Sequence, residues 1–160
     1  MDLGLHITAA AILATAEFCA NPIDGGVGEP QFCRLDAVQE ISTPYFSITV
    51  EPEFLVGVGN QGRHLQIQPS LWQSPAVLTV KRTDGSDPPD LADCPASTER
   101  HEGVVIWRDC RVGEGDLHLR QIVALLSGAY VLIEYSYSAL GTTLAPALER
   151  MTQSIRVHAI

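Results

Sequence analysis

Histidines and cysteines are the side chains of this sequence best suited to catalysis or metal binding. No His-Glu-x-x-His motif and no close pair occurs among the histidines, which are His6, His64, His101, His118 and His158. Zinc hydrolysis therefore has no motif support. His101 lies between Cys94 and Cys110 in the chain. If either cysteine were a free thiol, it could form a Cys–His nucleophilic pair with this histidine.

Carboxylates offer a second chemistry. Asp109 and Glu114 could act as an acid–base pair on a glycosidic bond, although any acidic chain contains such pairs. The acids of the loop 83–98 lack the spacing of an EF-hand calcium loop. The glycines Gly57, Gly59 and Gly62 lack the following helix and Lys-Ser/Thr pair of a phosphate-binding loop. We expect no cofactor, no metal site and no catalytic residue.

The cysteines Cys19, Cys33, Cys94 and Cys110 match neither a zinc site nor a CxxC redox motif. An even number in an exported chain favours two disulfides, with three connectivities open. The simplest pairing is local, Cys19 with Cys33 and Cys94 with Cys110. Each bond would close a loop of about fifteen residues and stabilise the fold by about 3 kcal/mol. The alternative is four reduced thiols in a cytosolic protein.

The N-terminal segment predicts export. Leu3 to Ala14 is a mainly apolar run, too short to span a bilayer, and Ala14-Thr15-Ala16 resembles a cleavage site. We therefore predict a signal peptide at 1–16, no membrane span, and a periplasmic or secreted protein. Met1 and Asp2 do not form a basic n-region, so an upstream start or an ordinary N-terminal helix stays open.

Length and charge narrow the class of protein. The 160 residues suit one domain, and 46% hydrophobic with 18% charged residues is typical of a globular chain. The formal net charge is −9, and Lys81 is the only lysine. Nucleic acid is not an expected partner, because a phosphate-binding surface needs clustered Lys and Arg. Acidic charge would suit a basic protein partner, although it commonly serves solubility.

Hydrophobic periodicity divides the rest of the chain in two. Residues 17–44 predict an arm with a short helix at Gln31–Ile41, because Leu35, Val38 and Ile41 recur at helical spacing. Residues 45–160 predict a single α/β domain. Its predicted strands are Tyr45–Val50, a hairpin around Gly59–Gly62, Ala76–Lys81, Val104–Arg108, Leu117–Leu126 and Ala129–Ser138, with a short one at Arg156–Ile160.

One amphipathic helix is predicted after Gly141. Thr142 or Thr143 could cap it, and Pro146 is tolerated in a first turn. Its apolar stripe consists of Leu144, Leu148, Met151 and Ile155. The expected fold class is α+β, an antiparallel β-sheet with this C-terminal helix packed on one face.

The C-terminal residues resemble a known family. The strand Tyr130–Tyr137, the helix, and the segment Met151-Thr152-Gln153-Ser154-Ile155-Arg156-Val157 resemble the end of Mog1/PsbP-like domains. Tyr45–Ile48 followed by Pro52 is similar to the opening strand of that family. The chain departs from the pattern at 83–98, where many relatives have a helix and this chain has a Pro/Asp loop.

The resemblance implies binding rather than catalysis, since the family includes photosystem accessory subunits, envelope lipoproteins and periplasmic immunity proteins of type VI secretion. We therefore predict a non-enzymatic binding or inhibitor protein. Its most concrete form is an immunity protein that blocks a secreted toxin hydrolase. An envelope-associated accessory domain is one alternative. A small secreted hydrolase using a carboxylate pair or His101 is another.

Exposed loop acids and an aromatic side chain are the predicted partner-binding residues: Trp72, Asp84, Asp87, Asp90 and Glu114. Acids would steer a basic effector hydrolase, and a few buried anchors would hold it. Trp107 lies mid-strand and is expected in the core. A homodimer through an exposed strand edge stays open.

Overall fold

The computed structural model describes residues 6–7, 21–23, 32–69, 76–85, 87–88, 94, 97–114 and 116–158. Within these residues the chain forms strands, short 3₁₀ turns and one α-helix, α1 (Ala145–Gln153). The strands are β1 (His6–Ile7), β2 (Asn21–Ile23), β3 (Phe32–Arg34), β4 (Gln39–Ser42), β5 (Phe46–Val50), β6 (Phe54–Gly59), β7 (His64–Pro69), β8 (Ala76–Asp84), β9 (Thr98–Glu102), β10 (Val105–Glu114), β11 (Leu117–Leu126), β12 (Ala129–Tyr137) and β13 (Arg156–Val157).

The larger sheet is antiparallel and has the order β2-β3-β6-β7-β8-β12-β11-β10-β9. Its last strands form a meander, in which β11 and β12 are joined by the turn Ser127–Gly128. Gly128 has φ +74°, a conformation that glycine adopts without a Cβ clash. Strand β8 pairs with β12 and not with β9, the next strand in the chain. Among the described strands, β9 therefore lies at the edge of the sheet, beside β10.

The smaller sheet has the order β1-β4-β5-β13. Strand β1 runs parallel to β4, whereas the other pairs are antiparallel. The pairing of Arg156 with Ser47 and of Val157 with Phe46 returns the C-terminal segment to β5. The backbone N–H of Thr49 also donates to the Ser154 hydroxyl at 2.9 Å. The end of α1 is thus fixed against the smaller sheet.

The core lies between the two sheets and the helix. Alternation along β12 buries Val131, Ile133 and Tyr135, as the sequence pattern predicts. Burying a large apolar side chain contributes about 1.5–3 kcal/mol. The largest fully buried side chains are Phe46, Phe54, Ile41, Ile48, Leu65, Ile67, Leu78, Ile133, Leu148, Met151 and Val50.

Helix α1 packs on β5 and β12 through its predicted apolar stripe. Leu148 and Met151 are buried, Ile155 is buried just beyond the helix, and Leu144 is half-buried. The predicted threonine cap was wrong. Leu144 holds the N-cap position without a side-chain hydrogen bond, because a 3₁₀ turn, Ala139–Leu144, runs directly into α1.

The predicted short helix at Gln31–Ile41 was also wrong. Strands β3 and β4 occupy this segment and pair with β6 and β5. Val38 is 45% exposed while Ile41 is fully buried, so the apolar residues do not share one helical face. Cross-strand pairing outweighs a weak helical periodicity. Part of the predicted N-terminal arm therefore belongs to the two sheets.

The other predicted strands are present, and several are longer than expected. The hairpin at Gly59–Gly62 joins β6 to β7, with Asn60 and Gln61 at φ 51° and 55°. Strand β10 runs to Glu114, well beyond the predicted Arg108, because its full length pairs with β11. The strands β10 to β12 therefore form a long antiparallel meander.

In the predicted signal peptide, the structure describes only His6 and Ile7, which pair with Glu40 and Ile41. Export and cleavage stay predictions. In the part of the chain that the structure describes, no helix combines the length and apolar character needed to cross a bilayer.

Candidate functional site

A cleft of about 300 Å³ lies between the edge of the larger sheet and the end of α1. Strands β9 to β12 form one wall, and α1 with β13 forms the other. The polar and aromatic side chains that decide its chemistry are Arg100, Glu102, Trp107, Arg120, Thr152 and Arg156.

Strand alternation brings the first of these side chains to the cleft. Arg100 on β9 is the cross-strand partner of Trp107 on β10, so both project from the same sheet face. The guanidinium carbon of Arg100 lies 4.7 Å from the centroid of the Trp107 ring. Such a cation–π contact contributes about 0.5–1 kcal/mol at an exposed site. The Arg100 guanidinium therefore covers one face of the Trp107 indole ring.

Two buried polar groups in the cleft wall have no hydrogen-bond partner among the described residues. They are Nε1 of Trp107 and Oγ1 of Thr152. The prediction that Trp107 is a core residue is confirmed, since its side chain is only 7% exposed. The same residue also borders the cleft, which the sequence pattern did not indicate.

A network of charged hydrogen bonds borders the cleft and joins the sheet to α1. Arg120 on β11 holds Asp109 through both carboxylate oxygens, with Nε–Oδ1 at 3.0 Å and Nη2–Oδ2 at 2.5 Å. Its Nη1 also donates to Oε2 of Glu149 at 2.8 Å. Arg111 and the Tyr135 hydroxyl donate to Oε1 of Glu149, the former at 2.6 Å. We call these five residues the charge network.

The charge network shifts the pKa values of its members. Burial and the hydrogen bond to Glu149 raise the pKa of Tyr135 to about 12, so its hydroxyl stays a donor at neutral pH. The hydrogen bond to Asp109, together with the charges of Asp109 and Glu149, outweighs burial and raises the pKa of Arg120. Burial alone would raise the pKa of Glu149. The donors Arg111 and Tyr135 and the Arg120 charge reverse this effect and lower it.

The lowered pKa of Glu149 predicts a pH dependence of stability. Its stabilising contribution is complete above the ordinary glutamate pKa and is lost as the pH falls through the folded-state value. We expect Glu149→Gln to lower the free energy of unfolding at pH 7 by about 1.5–3 kcal/mol, the usual contribution of a hydrogen bond to a charged group. At pH 3 the variant and the wild type should differ less. Urea unfolding at several pH values measures both.

The matched control is Glu53→Gln, because Glu53 is exposed in the turn before β6. This variant should keep the wild-type slope of stability against pH. An equally steep acid dependence in Glu149→Gln and the wild type would contradict the assignment.

The predicted partner-binding residues do not gather at the cleft as far as the structure describes them. Asp84 is 60% exposed and lies 3.3 Å from Arg82 and 3.5 Å from Arg63. It ends β8, which is four strands from β9, about 19 Å at the usual strand spacing. Asp87 is exposed. The predicted contacts at Trp72 and Asp90, and the side chain of Glu114, lie outside the described residues.

One predicted disulfide is confirmed. Cys94 and Cys110 are bonded, with their Cα atoms 5.9 Å apart. Cys33 is buried and disulfide-bonded, while Cys19 lies outside the described residues, so the Cys19–Cys33 pairing stays a prediction. A disulfide fits a compartment outside the reducing cytoplasm.

The catalytic alternatives lose their geometric support. The Cys94–Cys110 bond removes the free thiol that a Cys–His pair with His101 requires. His101 itself is exposed and lies 3.2 Å from Glu99. Asp109 is held by Arg120 rather than open to a substrate. Across the described residues, no group of three or more His, Cys, Asp or Glu side chains could hold a metal ion.

Sequence reasoning missed the cleft and the charge network. Arginine next to tryptophan on facing strands becomes recognisable only once the pairing of β9 with β10 is known. Arg111 and Glu149 are 38 positions apart in the chain. Alternation along β11 puts neighbouring side chains such as Arg120 and Gln121 on opposite faces of the sheet, but it does not show which face meets the helix.

Solved structures supply the comparison that decides the fold. The solution structure of cyanobacterial PsbP (CyanoP) from Synechocystis sp. PCC 6803 matches this chain with a TM-score of 0.55. The match covers 85% of this chain and 98% of CyanoP. The chain has the PsbP-like fold. No family model and no curated protein matches the sequence.

The PsbP-like fold confirms the predicted α+β class, with an antiparallel sheet and one short C-terminal helix. Sequence identity to CyanoP is 13%, so the likeness concerns the fold. Functional residues have to be argued from the side chains of this chain.

Proposed function

We propose that this chain is a non-enzymatic binding protein of the bacterial periplasm. In its most specific form it is an immunity protein that blocks a secreted toxin hydrolase of type VI secretion. The partner is a basic protein, and contacts come from the free edge of the larger sheet together with the acidic loops. No catalytic turnover belongs to this role.

The observation that carries the proposal is the exposure of β9. In the described part of the chain this strand ends the larger sheet, and all five of its residues are exposed. An edge strand offers backbone groups to which another chain can add. Four of its residues are ionisable: Glu99, Arg100, His101 and Glu102. Charges of this kind prevent indiscriminate pairing, so a partner has to complement their pattern.

Overall charge supports a basic partner. A net charge of −9 accelerates encounter with a positively charged protein and suppresses encounter with an acidic one. Exposed Asp84 and Asp87 add to this field. The Cys94–Cys110 disulfide supports a periplasmic location, because such bonds persist in oxidising compartments.

The non-catalytic part of the proposal is supported by the charge network. Catalytic acids and bases need access to a substrate and a pKa near the working pH. Here Glu149 and Asp109 are engaged by arginines, and the Tyr135 pKa is raised away from neutrality. These side chains link the larger sheet to α1 through hydrogen bonds and ion pairs.

Affinity capture from the native host with the tagged full-length chain tests the proposal. We expect a stoichiometric basic protein whose hydrolase activity the purified chain inhibits at a one-to-one ratio. The double variant Glu99→Lys/Glu102→Lys should weaken that binding at least tenfold, because it sets like charges against the partner. Surface plasmon resonance at two salt concentrations measures the loss.

The matched control is Glu53→Lys/Asp116→Lys, which makes the same change in net charge at two exposed turns. It should keep nearly all of the affinity. Equal losses in both double variants would mean that overall charge, and not the β9 edge, governs binding. Turnover by the isolated chain on cell-wall or lipid substrates would contradict the non-enzymatic role itself.

A further inference from the structure

The cleft beside α1 contains polar groups that the fold leaves without partners. Trp107 and Thr152 are 7% and 6% exposed, and Nε1 and Oγ1 have no hydrogen-bond partner in the described part of the chain. Leaving a buried polar group unsatisfied costs about 1–3 kcal/mol, so native proteins rarely do so. Both residues line the cleft. A bound group is therefore the natural partner for both atoms.

Hydrogen-bond chemistry identifies what that group must present. An indole N–H can only donate, and a threonine hydroxyl can donate or accept. The molecule that satisfies Trp107 must therefore carry an acceptor. One acceptor-rich group, such as a carboxylate, can accept from both Trp107 and Thr152.

The charges at the rim of the cleft favour a negatively charged acceptor. Arg120 is already occupied by Asp109 and Glu149. Arg100 stacks on Trp107 and pairs with Glu102, 2.7 Å away. The side chains of this ion pair are 64% and 62% exposed. An exposed pair of this kind contributes about 0–1 kcal/mol, so a ligand can replace Glu102 at little cost.

Arg156 provides a second cation at the rim. Within the described residues, its guanidinium makes two long hydrogen bonds, at 3.4 Å and 3.5 Å, to the backbone carbonyls of Gln153 and Ile155. An arginine fork matches the two oxygens of a carboxylate. Arg156 and Arg100 therefore both remain able to bind an anion at the mouth of the cleft.

We propose that the cleft is a binding site for a carboxylate. Trp107 and Thr152 donate to the carboxylate from the floor, and Arg100 and Arg156 neutralise its charge at the rim. The volume of about 300 Å³ suits a small dicarboxylic acid or one acidic side chain of a bound polypeptide. The site does not require the partner protein proposed above, because a free carboxylate fits it.

Indole NMR on the full chain tests this site. The sequence has two tryptophans, so Trp72→Phe leaves Trp107 as the sole indole N–H signal. Titration with succinate should shift that signal saturably, with a dissociation constant of about 1 mM or tighter. Neutral succinamide should not. A second titration uses acetyl-Gly-Glu-Gly-amide, with the Gln peptide as its control.

The two titrations distinguish the sources of the carboxylate. Tighter binding of the peptide assigns the site to an acidic side chain, and tighter binding of succinate assigns it to a free dicarboxylic acid. Either result supports the proposal. The result is independent of whether a toxin partner is ever captured.

Matched variants place the binding in the cleft. Arg100→Gln and the nearly isosteric Thr152→Val should each weaken succinate binding at least tenfold. Arg108→Gln is the control, because Arg108 follows Trp107 on β10 and therefore faces the opposite side of the sheet. Should Arg100→Gln fail to fold, the exposed Arg156→Gln takes its place.

Two results would overturn the proposal. One is an indole signal that no carboxylate shifts, which would mean that ordered water alone satisfies Trp107 and Thr152. The other is an equal loss of succinate binding in Arg108→Gln and Arg100→Gln. It would mean that the overall charge of the protein, and not the cleft, determines the affinity.

Discussion

Replacing Arg120 by methionine is expected to lower the free energy of unfolding by about 3 kcal/mol. The Arg120 side chain is 13% exposed and binds Asp109 and Glu149, each 27% exposed. Without it, two half-buried carboxylates lose their shared cation. Breaking a buried pair by removing one partner costs about 3–5 kcal/mol. Partial exposure of the acids places this case at the lower end.

Urea unfolding followed by circular dichroism measures this loss. The slope m of the unfolding free energy against urea concentration should be the same in variant and wild type, which shows that the unfolded state has not changed. The matched control is Arg108→Met, whose exposed arginine binds the exposed Glu99 on β9. It should change stability by less than about 0.5 kcal/mol. Asp109→Asn in the Arg120→Met background should recover part of the loss, since it removes a stranded charge. Equal stability of the two arginine variants would refute the role of the network.

Replacing Leu148 by alanine is the second large effect, a loss of about 2–5 kcal/mol in the free energy of unfolding. Leu148 is fully buried in α1, against the core between the sheets. The substitution removes buried apolar atoms and leaves a cavity, and both terms destabilise the fold. Because Thr152 lies one turn further along α1, the variant should also loosen the cleft.

Thermal and urea unfolding of Leu148→Ala, compared with Gln153→Ala on the same helix, measures the effect. Gln153 is exposed, so its substitution should stay within about 0.5 kcal/mol of the wild type. Similar stabilities for both variants would mean that α1 is not anchored on the sheets.

The secondary structure of the C-terminal half could be predicted because its signals are local. Alternation predicts strands at Leu117–Leu126 and Ala129–Ser138, and the structure has β11 at Leu117–Leu126 and β12 at Ala129–Tyr137. The stripe through Leu148 and Met151 predicts a helix with one buried face. Each pattern depends only on the period with which side chains point inward.

The N-terminal half shows where such signals fail. Leu35, Val38 and Ile41 have helical spacing, yet β3 and β4 occupy the segment. Short apolar runs fit either period, and the strands that lie beside them decide the outcome. Pairing of β3 with β6 and of β4 with β5 supplies the hydrogen bonds that an isolated helix of this length could not outweigh.

The sequence by itself predicted the type and position of most elements of the C-terminal half and favoured Cys94–Cys110 as the simplest of three possible pairings. Its composition also fixed the acidic net charge. Only the tertiary structure decided which side chains meet. Strand order places β9 at the edge, and cross-strand register sets Arg100 against Trp107. The packing of α1 brings Thr152 to the cleft and Glu149 to Arg120. Local periodicity specifies which face of an element is buried. Contacts between distant segments depend on the order and register in which these elements assemble, which no local pattern records.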